Sequence, residues 1–203
     1  MKVIRGIPPA TDWTPCALTI GNFDGVHRGH QALLKKLVAK AKDLQVQSCV
    51  MTFEPHPIEY FAPEKAPARI LGLRDKLEAL AEIGIDQVLV VHFNQAFANL
   101  SPEAFVKDIL VDGLQVKSIL IGDDFHYGAK RAGNFSDLQT AGKQFGFSVE
   151  SMETLVEAQE RISSSAIRLA LQNGQMDRAQ QLLGRPYICL LYTSDAADDT
   201  PCV

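Results

Sequence analysis

Short apolar runs of strand length alternate along the chain with longer stretches whose apolar residues recur at helical spacing. Cys16–Ile20 is the first such run, and Gly21 ends it. Leu33, Leu34, Leu37, Val38 and Ala41 then line one face of a helix predicted over Gln31–Leu44. Gln47–Phe53 predicts the second strand. A helix over Leu73–Ile83 turns Leu73, Leu77, Leu80 and Ala81 inward and stops at Gly84. Gln87–Val91 predicts the third strand. Ser101, Pro102 and Glu103 form a helix start, with a cap, a proline at the first helical position and an acidic first turn. Val116–Ile121 predicts the fourth strand, a helix over Asp137–Phe145 takes Ser136 as its cap, and Ser148–Met152 predicts the fifth strand. Helices over Ser164–Asn173 and Met176–Leu183 close the pattern, stopped by Gly174 and Gly184. The alternation predicts an α/β fold, a parallel sheet of about five strands with helices on both faces. Sites in such sheets lie beyond the carboxyl ends of the strands. The loops Gly21–Gly29 and Gly122–Gly133 each follow a strand directly. Pro55 to Pro67 carries four prolines and no helical pattern, so it reads either as a binding loop or as a surface excursion.

A chain of 203 residues, 46% of them hydrophobic, suits one domain, or one with a small appendage. The formal net charge is −4 with no basic run, so bulk electrostatic binding of nucleic acid is not expected. No stretch has the length of a membrane span, and no apolar segment near the start precedes a cleavage site. Cys16, Cys49, Cys189 and Cys202 show neither C-x-x-C nor regular spacing. They read as reduced thiols of a cytoplasmic protein.

Three segments carry candidate chemistry. In L-T-I-G-N-F-D-G-V-H-R-G-H-Q-A-L-L (Leu18–Leu34) a strand leads through a glycine-bounded turn into a helix N-terminus. Gly21 and Gly25 let backbone bend and approach a ligand, and the first helical turn offers free N–H groups to an anion. His27 and His30 lie one turn apart and can each donate to a phosphate, more strongly when protonated. The same pair could also be metal ligands or ordinary polar residues. The loop lacks the Gly-Lys-Ser/Thr of a Walker A motif and the G-x-G-x-x-G of a dinucleotide fingerprint. In the second segment, Arg161–Arg168, Ser163, Ser164 and Ser165 suit a helix cap, and Arg168 is placed one turn on to reach the same anion. The plainer reading is a helix cap with an exposed arginine. In the third segment, Gly122–Gly128, Phe125 or Tyr127 could stack on a flat heterocycle or could anchor the loop in the core.

The run G-N-F-D-G-V-H-R-G-H at Gly21–His30 resembles the H-x-G-H signature of the nucleotidylyltransferase superfamily. Its longer form resembles the N-terminal module of the bacterial FAD synthetases. T-F-E-P-H-P at Thr52–Pro57, G-D-D-F-H-Y-G at Gly122–Gly128 and I-S-S-S-A-I-R at Ile162–Arg168 extend the resemblance, in order, to about Tyr187. Ser165 stands where that family often has threonine, Tyr127 where it often has phenylalanine, and Gly72 where it often has the threonine of R-L-T. The resemblance implies a Rossmann-like fold and adenylyl transfer from ATP to FMN, giving FAD and pyrophosphate with Mg²⁺. It implies catalytic roles for His27, His30, Ser164 and Arg168. It further implies ATP contacts from Gly21, Asn22, Phe23, Asp24, Gly25, Arg161, Ser163 and Ser165, and FMN contacts from Phe53, His56, Asp124, Phe125, Tyr127 and Gly128. Magnesium keeps several waters and takes few protein ligands, so its site is not legible here; Asp123 and Asp124 are the candidates, or else a solvated acidic turn. Another nucleotidylyltransferase with a different phosphate acceptor is the alternative enzyme, and a non-catalytic nucleotide- or flavin-binding fragment is the alternative class. The domain is expected to span 1–188. From Cys189 to Val203 the pattern is abandoned, and the segment reads as a foreign, disordered tail where the family's riboflavin kinase domain would follow.

Overall fold

Six parallel strands in the order β1-β4-β3-β2-β5-β6 organise the computed structural model of the chain. It describes residues 1–187 except 10, 12, 123, 153–155 and 158–159, so the predicted tail and Asp123 lie outside the described residues. The strands are β1 (Lys2–Arg5), β2 (Cys16–Ile20), β3 (Gln47–Glu54), β4 (Gln87–His92), β5 (Val116–Gly122) and β6 (Ser148–Met152). A small antiparallel pair, β7 (Val156–Glu157) and β8 (Glu160–Arg161), follows. The sequence pattern predicted five of the six parallel strands within a residue at each end. It missed β1, an edge strand that pairs with β4 from Lys2↔Gln87 to Arg5↔Val90. Lys2, Val3 and Arg5 are exposed, so no apolar run marks it.

Apolar residues on the sheet alternate between two cores, as the period of a strand requires. On one face, α1 (Arg28–Asp43), α3 (Leu73–Ile83), α7 (Ser164–Gln172) and α8 (Met176–Leu183) pack Leu34, Leu37, Leu80, Ile167 and Leu182 against Ala17, Val50, Val88 and Leu120. On the other, Phe105, Val106 and Leu110, together with Leu138 of α6 (Phe135–Phe145), cover Leu18, Met51, Leu89, Ile119 and Ile121. Full burial of one such leucine contributes about 2 kcal/mol.

Three details differ from the sequence reading. Asn134, not Ser136, caps α6: its side chain accepts from Ser136 N at 2.8 Å and Asp137 N at 3.2 Å, and Asp137 accepts in return from Asn134 N at 3.0 Å. Asparagine is as good an N-cap as serine, and the reciprocal carboxylate decides between them. The proline-rich segment is not all loop, because Pro57–Phe61 forms a short helix, α2. Proline suits a first helical position, and Glu59 accepts from His56 N at 2.8 Å. The helix begun at Pro102 continues as π-helical turns over Phe105–Gly113.

The chain reverses its direction of travel across the sheet at β2, which lies between β3 and β5. The loops leaving β2 and β5 therefore flank the switch point, where α/β sheets open a crevice.

Candidate active site

The loop after β2 departs from ordinary backbone geometry. Phe23 (φ 48°), Gly25 (φ 84°) and Val26 (φ 40°) are all left-handed, which for phenylalanine and valine is uncommon and held only by surrounding structure. A Cβ on Gly21 would lie 3.2 Å from the ring of Phe23, and one on Gly25 would lie 3.2 Å from Ile70. The two glycines thus leave room for neighbouring protein side chains. Phe23 itself is buried in the core.

His27 caps α1, its Nδ1 accepting from His30 N at 3.3 Å. That bond fixes Nδ1 as the acceptor and leaves the proton of the neutral ring on Nε2. The two imidazoles stack with centroids 3.6 Å apart and planes 16° from parallel. Nδ1 of His30 is buried without a partner among the described residues. Burial, then the charges of His27 and Lys76, hold the His30 pKa well below its ordinary 6.5. His30 is therefore neutral at pH 7, and in the free protein it is the weaker of the two donor forms the spacing allows.

The second segment meets this loop directly. Ser163 Oγ accepts from Ala166 N at 3.2 Å and caps α7, while Ser164 Oγ donates to the Asp24 carbonyl at 2.9 Å. Ser165 is exposed on the first turn. The side chain of Arg161 lies outside the described residues. Arg168 donates through Nη2 to the Asp24 carboxylate and through Nε to the Ala68 carbonyl. The anion that Arg168 meets here is one of the protein's own, the Asp24 carboxylate. Asp24 is buried and also accepts from Ile70 N at 3.0 Å and Leu71 N at 3.2 Å. The serine turn and Arg168 therefore pack against the loop that carries the paired imidazoles.

A charged cluster that the sequence reading missed adjoins the loop. Arg69 donates to both Glu54 and Glu59. Its hydrogen bonds hold the Glu59 carboxyl down at about 2. Lys76, 1% exposed, places Nζ 3.1 Å from His56 Nε2. Burial lowers the pKa of both; the Lys76 charge lowers that of His56 further, while the Asp24 carboxylate opposes the fall at Lys76. Lys76 occupies an inward position of α3, which a periodicity of apolar residues passes over.

Beyond the strand ends lies a cavity of about 510 Å³, walled by Phe53, Phe61, Phe93, Phe97, Phe105, Phe125 and Tyr127 and reaching Asn22 of the loop after β2. Four of the six predicted flavin contacts, Phe53, Phe125, Tyr127 and Gly128, line it. His56 does not, since it turns to Lys76; nor does Asp124, which is exposed. Phe125 and Tyr127 stack at 5.9 Å, and Tyr127 also packs on Phe105, so the same ring both anchors the loop and walls the cavity. Burial pushes the Tyr127 hydroxyl up to about 12. Phe93, Phe97 and Phe105 were not singled out from sequence. The clustering of phenylalanine just past β4, in H-F-N-Q-A-F, was the signal available. Oδ1 of Asn22 is buried and, like Nδ1 of His30, unpartnered among the described residues.

Among the described residues no group of three or more His, Cys, Asp or Glu could hold a metal ion. The carboxylates nearest the loop, Asp24, Glu54 and Glu59, are already paired with arginines. The described residues offer no magnesium cage built of protein. No helix among the described residues is long and apolar enough to cross a membrane.

The sequence model of the FAD synthetase family matches residues 10–166. The bifunctional riboflavin kinase/FMN adenylyltransferase of Escherichia coli K12 is 49% identical over 189 residues, 92% of this chain and 60% of that protein. Its namesake in Haemophilus influenzae is 47% identical over 188 residues, 92% of this chain and 61% of that protein. The chain therefore spans about 60% of the length of such relatives. A crystal structure of a macrolide-efflux protein from Streptococcus pneumoniae superposes with a TM-score of 0.77 at 25% identity, over 92% of this chain and 63% of that one.

Proposed function

Since the chain belongs to the FAD synthetase family, we propose that it transfers the adenylyl group of ATP to FMN in the cytoplasm, with these small molecules, and no nucleic acid, as its substrates. An oxygen of the FMN phosphate bonds to the α-phosphorus, the bond from that phosphorus to the bridging oxygen breaks, and pyrophosphate leaves with the electron pair. The observation that carries this reading is the aromatic cavity opening onto Asn22, next to a loop that stacks two imidazoles at a helix N-terminus. Seven aromatic rings suit a flat heterocycle such as isoalloxazine. The helix start suits phosphate. Buried polar atoms without partners, Asn22 Oδ1 and His30 Nδ1, ask for a bonding group from a ligand.

In this reading His27 and His30 bind the triphosphate as neutral donors, and the approaching anion draws a proton onto His30 by raising its depressed pKa. Arg168 keeps Asp24 through Nη2 and turns Nη1 to phosphate, while Ser164 fixes the loop through the Asp24 carbonyl. The protein's part is positioning and preorganised electrostatics. Mg²⁺ held by the nucleotide would supply charge neutralisation; none of the described residues forms a cage for it.

Incubating the chain with FMN and Mg-ATP and resolving flavins by chromatography tests the proposal. FAD is the expected product. Turnover only with another phosphorylated acceptor would move the assignment elsewhere in the superfamily, and flavin binding without turnover would leave a binding fragment.

A further inference from the structure

The strained loop that delivers His27 is held from behind by a residue no motif marks. Arg185 follows the left-handed Gly184 (φ 73°) that stops α8. Its Nη2 donates to the Gly25 carbonyl at 2.8 Å and its Nη1 to the Val26 carbonyl at 3.1 Å. Two nitrogens of one planar fork thus donate to two successive carbonyls, a fixed spacing that the single nitrogen of a lysine lacks. The carbonyls belong to the two adjacent left-handed residues, one of them β-branched, that immediately precede the cap of α1.

Neighbouring bonds fasten the same junction. Gln31 Nε2 donates to the Val26 carbonyl at 2.9 Å and the Leu183 carbonyl at 2.7 Å. A Cβ on Gly184 would lie 2.9 Å from the side chain of Arg28, so the α8 stop sits against the first turn of α1. Arg185 is half-buried there, and it lies beyond the stretch matched by the family model.

We propose that Arg185 is a positioning residue for adenylyl transfer, clamping Gly25 and Val26 so that His27 and His30 are held in their stacked, phosphate-facing arrangement. The catalytic assignment rests on the function proposed above, but the clamp itself does not. Arg185 touches neither the aromatic cavity nor its walls, so flavin binding is untouched by it.

Arg185→Met keeps the apolar stem and removes the fork. Its kcat for FAD formation is expected to fall roughly ten- to a hundredfold, as for a misplaced catalytic group, while KM for FMN holds. Arg185→Lys, which restores one bond, is expected to lie between. Millimolar guanidinium, far below denaturing levels, is expected to return part of the Arg185→Met activity and none to the wild type. The imidazole resonances of His27 and His30 are expected to shift in Arg185→Met. Unchanged resonances overturn the clamp whether or not the wild type turns over. An unchanged kcat in Arg185→Met, or a fall in kcat that guanidinium leaves untouched while the variant stays folded, overturns the positioning role. Absence of FAD from the wild type with shifted resonances sinks the function proposed above and leaves the clamp standing.

Discussion

Asp24 and Arg168, 144 residues apart in sequence, meet as a carboxylate–guanidinium pair that joins the loop after β2 to α7. Asp24 is 4% exposed and Arg168 19%. Two backbone amides complete the carboxylate's partners. One side chain thereby fixes the loop, the start of α3 and the arginine proposed for phosphate.

Removing the Asp24 charge leaves a partly buried guanidinium without its counter-ion. Asp24→Asn is expected to cost about 3 kcal/mol of stability, read from urea midpoints. Arg168→Met on that background should restore part of it, because the orphaned charge goes too. Full additivity of the two substitutions would show that the pair is not coupled.

His30 acts on ATP rather than on flavin in the proposed mechanism. His30→Ala is expected to lower FAD turnover by roughly a hundredfold while the dissociation constant for FMN, followed by flavin fluorescence, stays near that of the wild type. An unaltered rate would remove His30 from the reaction.

The same histidine gives a titration test. Its folded pKa lies below 6.5, so between those values the unfolded chain binds the extra proton, and this group takes stability away as pH falls below 6.5. Imidazole resonances of His30 should stay neutral through pH 6.5 in the free protein and move to higher pKa when Mg-ATP is added. A His30 that titrates at its ordinary value would contradict the buried, stacked geometry.

Glu59 works in the opposite direction. Arg69 lowers its carboxyl from 4.5 to about 2. Stability from this group is complete above 4.5 and is lost as pH falls toward 2. At this partly exposed site the contribution is about 1 kcal/mol after solvent screening. Glu59→Gln should flatten the acid limb of the melting-temperature profile across that window.

The cavity walls separate two groups of residues read from sequence. Phe125→Ala is expected to weaken FMN binding roughly tenfold, measured by fluorescence quenching. Asp124→Asn, exposed and outside the cavity, is expected to leave affinity within about twofold. The reverse order would move the flavin away from the aromatic walls.

The α/β alternation, five of the six parallel strands and most inward helix positions were legible in the sequence, because period 2, period 3.6 and glycine stops are local properties; Ala81, read as inward, is exposed, and Ala79 is buried. Each is set by a residue and its near neighbours along the chain. Edge strand β1 escaped, because an exposed edge needs no apolar face. Long-range charge pairing was invisible for a different reason. That Asp24 occupies Arg168, that Lys76 is buried against His56, and that Arg185 reaches Gly25 and Val26 depend on which strands lie side by side. So does the convergence of Phe53, Phe93, Phe105 and Phe125 on one cavity. The sequence thus determined the elements and the chemistry of single loops. Only the tertiary structure decided which charges neutralise one another, since electrostatic and packing partners are chosen by distance in space and burial, not by separation along the chain.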